Sequence, residues 1–256
     1  MNTDIRAIFF DLGGTFRIVH EDKTYSDNAK RRIALLCGTG MDPDSFHQLV
    51  DARYDRYREW VLKHMCEAPE DILWTRWLTP DYDHDRVTAA AGELTYLYRQ
   101  AKGERLVVEG GVDTAKELWA RGYTLGIISD LVGTREIDEW LIRDKLRPYF
   151  KAVQQSSVTL IRKPHPAIYY YALREAGARA ETSAFIGDNL ARDILGAKAV
   201  GFGMTIAVEY EGMPALKPTG DTMPDAKITA FCQLLDIFPA SGRVDTARIL
   251  RVGEEA

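Results

Sequence analysis

The sequence predicts an α/β fold: a three-layer, doubly wound and mainly parallel sheet, with an inserted all-helical unit. Three observations carry that expectation. Short apolar runs alternate with longer amphipathic stretches. One long segment breaks the alternation and reads as helix throughout. Polar residues suited to catalysis stand at the ends of several apolar runs.

The first run, residues 5–10, is unbroken apolar sequence from Ala7 to Phe10, as expected of a strand buried on both faces. It ends in Asp11, followed by "LGGT". Residues 17–105 then read as helices only. In "MDPDSFHQLVDARYDRYREWVLKHM", the positions Phe46, Leu49, Val50, Arg53, Tyr54, Tyr57 and Val61 share one helical face. Asp42 is the expected N-cap and Pro43 the first helical residue. A second helix over 85–101 stripes Val87, Ala91, Leu94, Tyr98 and Ala101. Trp74, Trp77, Tyr54 and Tyr57 are expected to fill the interior of this unit, and Arg53, Arg56 and Arg76 to form a solvated face. The alternation then resumes. Strands are expected over 123–128, 184–186 and 204–208, with helices over 112–121, 136–144, 167–176 and 191–200. This divides the chain into a core of 1–16 and 106–239, an insert of 17–105, and a charged tail of 240–256 with no assigned role.

The 256 residues, 46% hydrophobic and 28% charged, suit one large domain carrying an insert. A net charge of −5 argues against nucleic acid as a partner, because phosphate-backbone binders show a basic stripe. Cys37, Cys66 and Cys232 are odd in number and widely spaced, which disfavours a disulfide framework or a thiolate zinc site and suits a reducing compartment. The N-terminus lacks the pattern of a signal peptide, and no apolar stretch is long enough to span a bilayer. The expectation is a cytoplasmic protein with no membrane partner.

Asp11, Ser129 and Asp188 all fall at expected strand C-termini, the edge at which such sheets bind ligands. "IRKPHPAIYYYAL" offers Lys163 before a Pro-x-Pro helix start, and "FIGDNLARDILGAKAVGF" ends a strand in Gly-Asp with Asp193 five residues on. Taken singly, each residue has a plainer reading. An aspartate after a strand is usually a cap or turn former, and a lysine before proline usually lies on the surface. Taken together, Asp11, Asp188 and Asp193 would repel one another at a single sheet edge unless a cation sat among them. Oxygen ligands of this kind select a hard divalent ion such as Mg²⁺.

In this order and spacing, the Asp11 loop, Ser129, Lys163-Pro164 and Gly187-Asp188 with Asp193 resemble the four motifs of the haloacid dehalogenase-like (HAD) superfamily. The helical insert resembles the cap of its first subclass, and the likeness covers most of residues 5–238. The resemblance implies a Rossmannoid core and a Mg²⁺-dependent phosphatase acting on a small phosphorylated metabolite. Asp11 would be the nucleophile, passing through an aspartyl phosphate. Ser129, beside Asp130, would hold the transferring phosphoryl group, and Lys163 would neutralise its charge and hold Asp11. The metal would rest on Asp11, the Gly13 carbonyl and Asp188, with Asp193 orienting its waters and Lys163.

One position departs from that pattern. Gly13 stands where the phosphatases usually carry a second aspartate, the general acid and base. Three outcomes follow. The substrate has a leaving group needing little protonation, such as an acyl phosphate or a sugar 1-phosphate. Alternatively another group donates the proton: His20 first, because its ordinary pKa is near neutrality, or Glu21, Asp22 or Asp130, the last at a position more often asparagine. Or catalysis is lost and the fold binds a phosphorylated ligand or a partner. Some members with glycine here resemble working phosphatases, which favours the first two. The dehalogenases of the superfamily share the aspartate nucleophile but need no metal, and Gly187-Asp188 argues against them. "DLGGT" also resembles the first phosphate motif of actin-like sugar kinases. Helices follow it here instead of a second lobe, and no later glycine-rich nucleotide motif appears.

Overall fold

A computed structural model describes residues 4–240, so the expected tail lies outside the described residues from 241 onward. The strands are β1 (Ala7–Phe10), β2 (Arg17–His20), β3 (Glu104–Val107), β4 (Thr124–Ser129), β5 (Phe150–Gln155), β6 (Ser183–Gly187), β7 (Met204–Val208) and β8 (Ala226–Ile228). Six of them form a sheet in the order β5-β4-β1-β6-β7-β8, every pair parallel. The chain winds outward from β1 through β4 and β5, then returns to the other side of β1 as β6, β7 and β8. Winding therefore reverses next to β1, which opens a crevice at the C-terminal ends of β1 and its neighbours.

Alternate residues of the central strands enter two separate cores, as the two-residue period of a strand requires. Ile8, Phe10, Leu125, Ile127, Ile186 and Ile206 pack with Ala115 and Leu118 of the helix Gly111–Ala120. Phe9, Ile128 and Phe185 pack with Ile168, Tyr169 and Ala172 of the helix Pro166–Ala176. Each such buried Ile or Phe is worth about 1.5–3 kcal/mol. The two strands of this sheet that apolar runs do not reveal, β5 ("FKAVQQ") and β8 ("AKI"), are its edges. An edge strand has an open side and accommodates lysine and glutamine.

The insert builds its own interior from the helices Lys23–Cys37, Pro43–His64 and His84–Gln100, around Phe46, Val50, Tyr57, Trp74, Leu94 and Tyr98. Asp42 caps the second of these by accepting the Ser45 N–H at 3.0 Å, with Pro43 at its first position. Trp74 satisfies its buried indole N–H on Thr95 Oγ1 at 2.9 Å, while Tyr54 and Trp77 pack at the margin of this interior.

Two expectations need correction here. The insert is not helical from end to end, because "RIVH" and "ERLV" pair antiparallel as β2 and β3 at its entry and exit. Four residues are too few for a periodicity test to separate a strand from a helix end. Arg53 does not belong to the solvated face with the exposed Arg56 and Arg76. Its guanidinium donates to the Leu78 carbonyl at 2.9 Å and pairs with Asp81. Among the described residues, no helix is long and apolar enough to cross a membrane.

Candidate active site

The crevice beside β1 collects the chemistry-bearing residues from four separate segments. Asp11 is the first residue beyond β1, pinned by its N–H to the Ile186 carbonyl of β6 at 2.9 Å. Its loop doubles back through Gly14, whose φ of +79° suits glycine. A Cβ at Gly14 would lie 2.3 Å from Asp188 Oδ2, so only glycine lets this backbone pass the carboxylate. Asp188 immediately follows β6. Asp193 sits one turn further on, within the π-helical turn Leu190–Leu195, where the spacing predicts a regular α-helix.

Lys163 closes the group. Its Nζ lies 2.7 Å from Asp11 Oδ1 and 2.6 Å from Asp193 Oδ1, with all three side chains buried. Asp193 Oδ2 accepts the Asn189 N–H at 2.9 Å. Asp11, Asp188 and Asp193 each bring one oxygen within 4.8 Å of the others. Burial alone would lower the Lys163 ammonium, but Asp11 and Asp193 outweigh it and hold it above its ordinary value. Burial, followed by the charges of Asp11 and Asp193, pushes the Asp188 carboxyl up to about 7. Burial likewise raises Asp193 to about 6, against the pull of Lys163.

This group suits a divalent cation on two independent grounds. Three carboxylates face a single ammonium in a mostly buried space, which leaves negative charge uncompensated. Asp188 Oδ1 is also buried without a hydrogen-bond partner, a costly condition that a cation would relieve.

The pH dependence of stability follows from the same cluster. Asp188 and Asp193 have folded pKa values raised above their unfolded ones, so the folded state holds more protons through this window. Their contribution is fully present below roughly pH 4, the unfolded aspartate value, and is lost as pH rises through the folded values. Lys163 has its effect intact throughout that range, since its unfolded value is near 10.4. Chelated protein is therefore expected to melt lower at pH 8 than at pH 5, through a term of a few kcal/mol given about 1.4 kcal/mol per pKa unit. Added Mg²⁺ is expected to raise the melting temperature more at pH 8. Equal shifts at both pH values in a thermal-melt series would refute this account.

The remaining expected residues divide clearly. Ser129, buried, ends β4 on the strand next to β1. Asp130 follows it and accepts the Lys163 backbone N–H on Oδ1 at 2.9 Å. Its Oδ2 faces Arg162 at 3.6 Å and Arg192 at 3.7 Å. Asp130 is thus engaged on both oxygens by groups of the core. Asp22 is taken up as an N-cap, accepting the Tyr25 N–H at 2.9 Å, while His20 and Glu21 are exposed where β2 leads into the insert. Gly13 is exposed, and a Cβ there would meet nothing within 4 Å. Sequence reasoning missed Arg162, Arg192 and the insert's Glu67, which pairs with Arg162. Arg162 has a local signal in its place beside Lys163, but Glu67 belongs to no periodic pattern.

Comparison with known proteins points the same way. A model of the haloacid dehalogenase-like hydrolase family matches residues 5–201, more than half of the chain. A glyceraldehyde 3-phosphate phosphatase of Pyrococcus furiosus is 30% identical over 238 residues, 91% of this chain and 93% of the relative. A phosphoglycolate phosphatase of Pseudomonas fluorescens is 30% identical over 256 residues, 98% of this chain and 84% of the relative. Among solved structures, a 2-haloacid dehalogenase from Pseudomonas syringae pv. Tomato superposes with a TM-score of 0.66 at 24% identity, over 91% of this chain and 97% of that one, a likeness of fold.

Proposed function

The chain belongs to the haloacid dehalogenase-like hydrolase family, and from that premise we propose that it is a Mg²⁺-dependent phosphatase of small phosphorylated metabolites. The observation that carries this reading is the buried Lys163 shared by Asp11 and Asp193, beside an unpartnered oxygen of Asp188. The relatives named as phosphatases of short phosphorylated compounds support the substrate class.

In this reading a carboxylate oxygen of Asp11 attacks phosphorus in line with the leaving oxygen. The bond from phosphorus to the leaving oxygen breaks with its electron pair going to that oxygen, and an aspartyl phosphate forms. Water then attacks phosphorus, the bond to Asp11 breaks, and inorganic phosphate and the free carboxylate result. Lys163 holds Asp11 through Oδ1, which fixes the carboxylate plane and leaves the second oxygen for attack. The Ser129 hydroxyl donates to an oxygen of the transferring group, and Asp130 sets Lys163 through its backbone N–H. A Mg²⁺ ion held by Asp11, the Gly13 carbonyl and Asp188, with Asp193 behind it, would supply charge neutralisation at the phosphoryl oxygens. Phosphoryl transfer depends chiefly on such positioning and charge compensation. In this reading the insert acts as a cap over this end of the sheet and limits the substrate's size.

Phosphate release from a panel of short phosphorylated aldehydes, acids and sugars, with Mg²⁺ present, tests the proposal. Turnover of at least one member, abolished by EDTA and restored by Mg²⁺, is the expected result. The missing carboxylate at Gly13 favours one further reading, a phosphate-ligand binder without turnover. Melting-temperature shifts by panel members without any phosphate release would select that reading. Activity indifferent to EDTA, with halide released from 2-haloacids, would overturn both.

A further inference from the structure

Glu67 is a cap residue whose side chain is fully buried at the core. It follows the helix Pro43–His64, and its Oε1 accepts the hydroxyl of Tyr57. Its Oε2 pairs with Arg162 and lies 3.1 Å from the Ser156 hydroxyl. The backbone is stitched as well. The Glu67 N–H donates to the Leu160 carbonyl at 3.0 Å, the Arg162 N–H donates to the Met65 carbonyl at 3.1 Å, and Cys66 and Ile161 form an antiparallel bridge.

These contacts converge on two core loops. Ser156 Oγ accepts the Leu131 N–H at 2.9 Å, which ties Glu67 to the loop carrying Ser129 and Asp130. Arg162 precedes Lys163 and reaches Asp130, which in turn accepts the Lys163 N–H. A contact that only held the cap down could sit anywhere along the seam, and other contacts already do so. Glu70 accepts from Thr134 at 3.2 Å, Glu93 pairs with Arg135 at 2.9 Å, and Arg99 pairs with Glu136. Those three join the cap to residues 134–136, further along the chain from Ser129. Glu67 instead pairs with Arg162, the direct neighbour of Lys163, and through Ser156 reaches Leu131, two residues beyond Ser129.

We propose that Glu67 is a positioning residue: a cap carboxylate that holds the Ser129–Leu131 and Arg162–Lys163 segments in working geometry, so that docking of the cap and assembly of the site are one event. Its kinetic consequence rests on the phosphatase reading; its structural consequence does not. Hydrogen exchange of full-length Glu67→Gln, followed by mass spectrometry, provides the decisive measurement. Peptides covering 129–134 and 160–165 are expected to exchange about tenfold faster than in the wild type, with β1 and β6 unchanged. On a substrate found in the panel, kcat is expected to fall about 10- to 100-fold with KM little altered, the effect of displaced catalytic groups. Tyr57→Phe removes the hydroxyl that donates to Glu67 and accepts the Ala68 N–H, leaves the Glu67–Arg162 pair in place, and should show the same pattern more weakly, which serves if Glu67→Gln does not fold. Faster exchange confined to residues 57–70, or faster exchange at 129–134 with unchanged kcat, would overturn the proposal. A wild-type protein that releases no phosphate would count against the phosphatase reading alone, because the exchange result still decides the role of Glu67.

Discussion

Gly13→Asp is expected to raise turnover of simple alkyl phosphates by about 10²- to 10⁴-fold, the usual contribution of general acid–base help. The backbone there is ready to receive the side chain. Gly13 is absent from the positive-φ glycines, and a Cβ would meet nothing within 4 Å. Two residues after Asp11, a carboxyl group would stand on the loop that carries the nucleophile, where it could protonate the departing oxygen. Acyl phosphates, whose leaving group needs no proton, should gain little. Steady-state rates on an alkyl and an acyl phosphate, measured for both proteins, make the comparison. Equal changes on the two substrates would mean that protonation does not limit the wild-type enzyme. That result would direct attention to His20 and Glu21, since Asp22 and Asp130 are held by hydrogen bonds of their own.

Asp11→Asn should have the other large effect, a loss of turnover on the order of 10⁴-fold or more, because an amide oxygen cannot replace the attacking carboxylate. The substitution conserves shape, and the introduced amide oxygen could still accept from Lys163, so the fold should survive. Two readouts separate chemistry from folding. Acid quench of the wild type with a labelled phosphate substrate should trap labelled protein, while the variant should trap none. Melting curves of the two proteins without metal should lie within a few degrees, since Lys163 keeps its ion pair with Asp193. Labelled Asp11→Asn protein, or residual turnover within tenfold of the wild type, would remove Asp11 from the nucleophile's role.

The amino-acid sequence by itself determined the central sheet and the principal acidic cluster. The runs at β1, β4, β6 and β7 are apolar because both faces of those strands are buried, and that signal is local. Asp11, Lys163, Asp188 and Asp193 could be anticipated because each stands at a fixed offset from a strand end or helix start. Such offsets survive folding, since a parallel sheet brings its strand ends to one edge. Tertiary structure alone decided the rest. β5 and β8 are strands because they pair at the sheet edges despite their lysine and glutamine. "RIVH" and "ERLV" pair although the whole helical insert separates them in the chain, His20 to Glu104 being the inner pair. Arg53, periodic with an apolar face, is turned into a cross-link by the Leu78 carbonyl and Asp81. Glu67 and Arg162 lie 95 residues apart, and no spacing rule links a carboxylate to a guanidinium across that distance. Their meeting depends on where the cap settles. Periodicity and offsets record what a residue does with its near neighbours; the contacts of Glu67 exist only once distant segments have packed together.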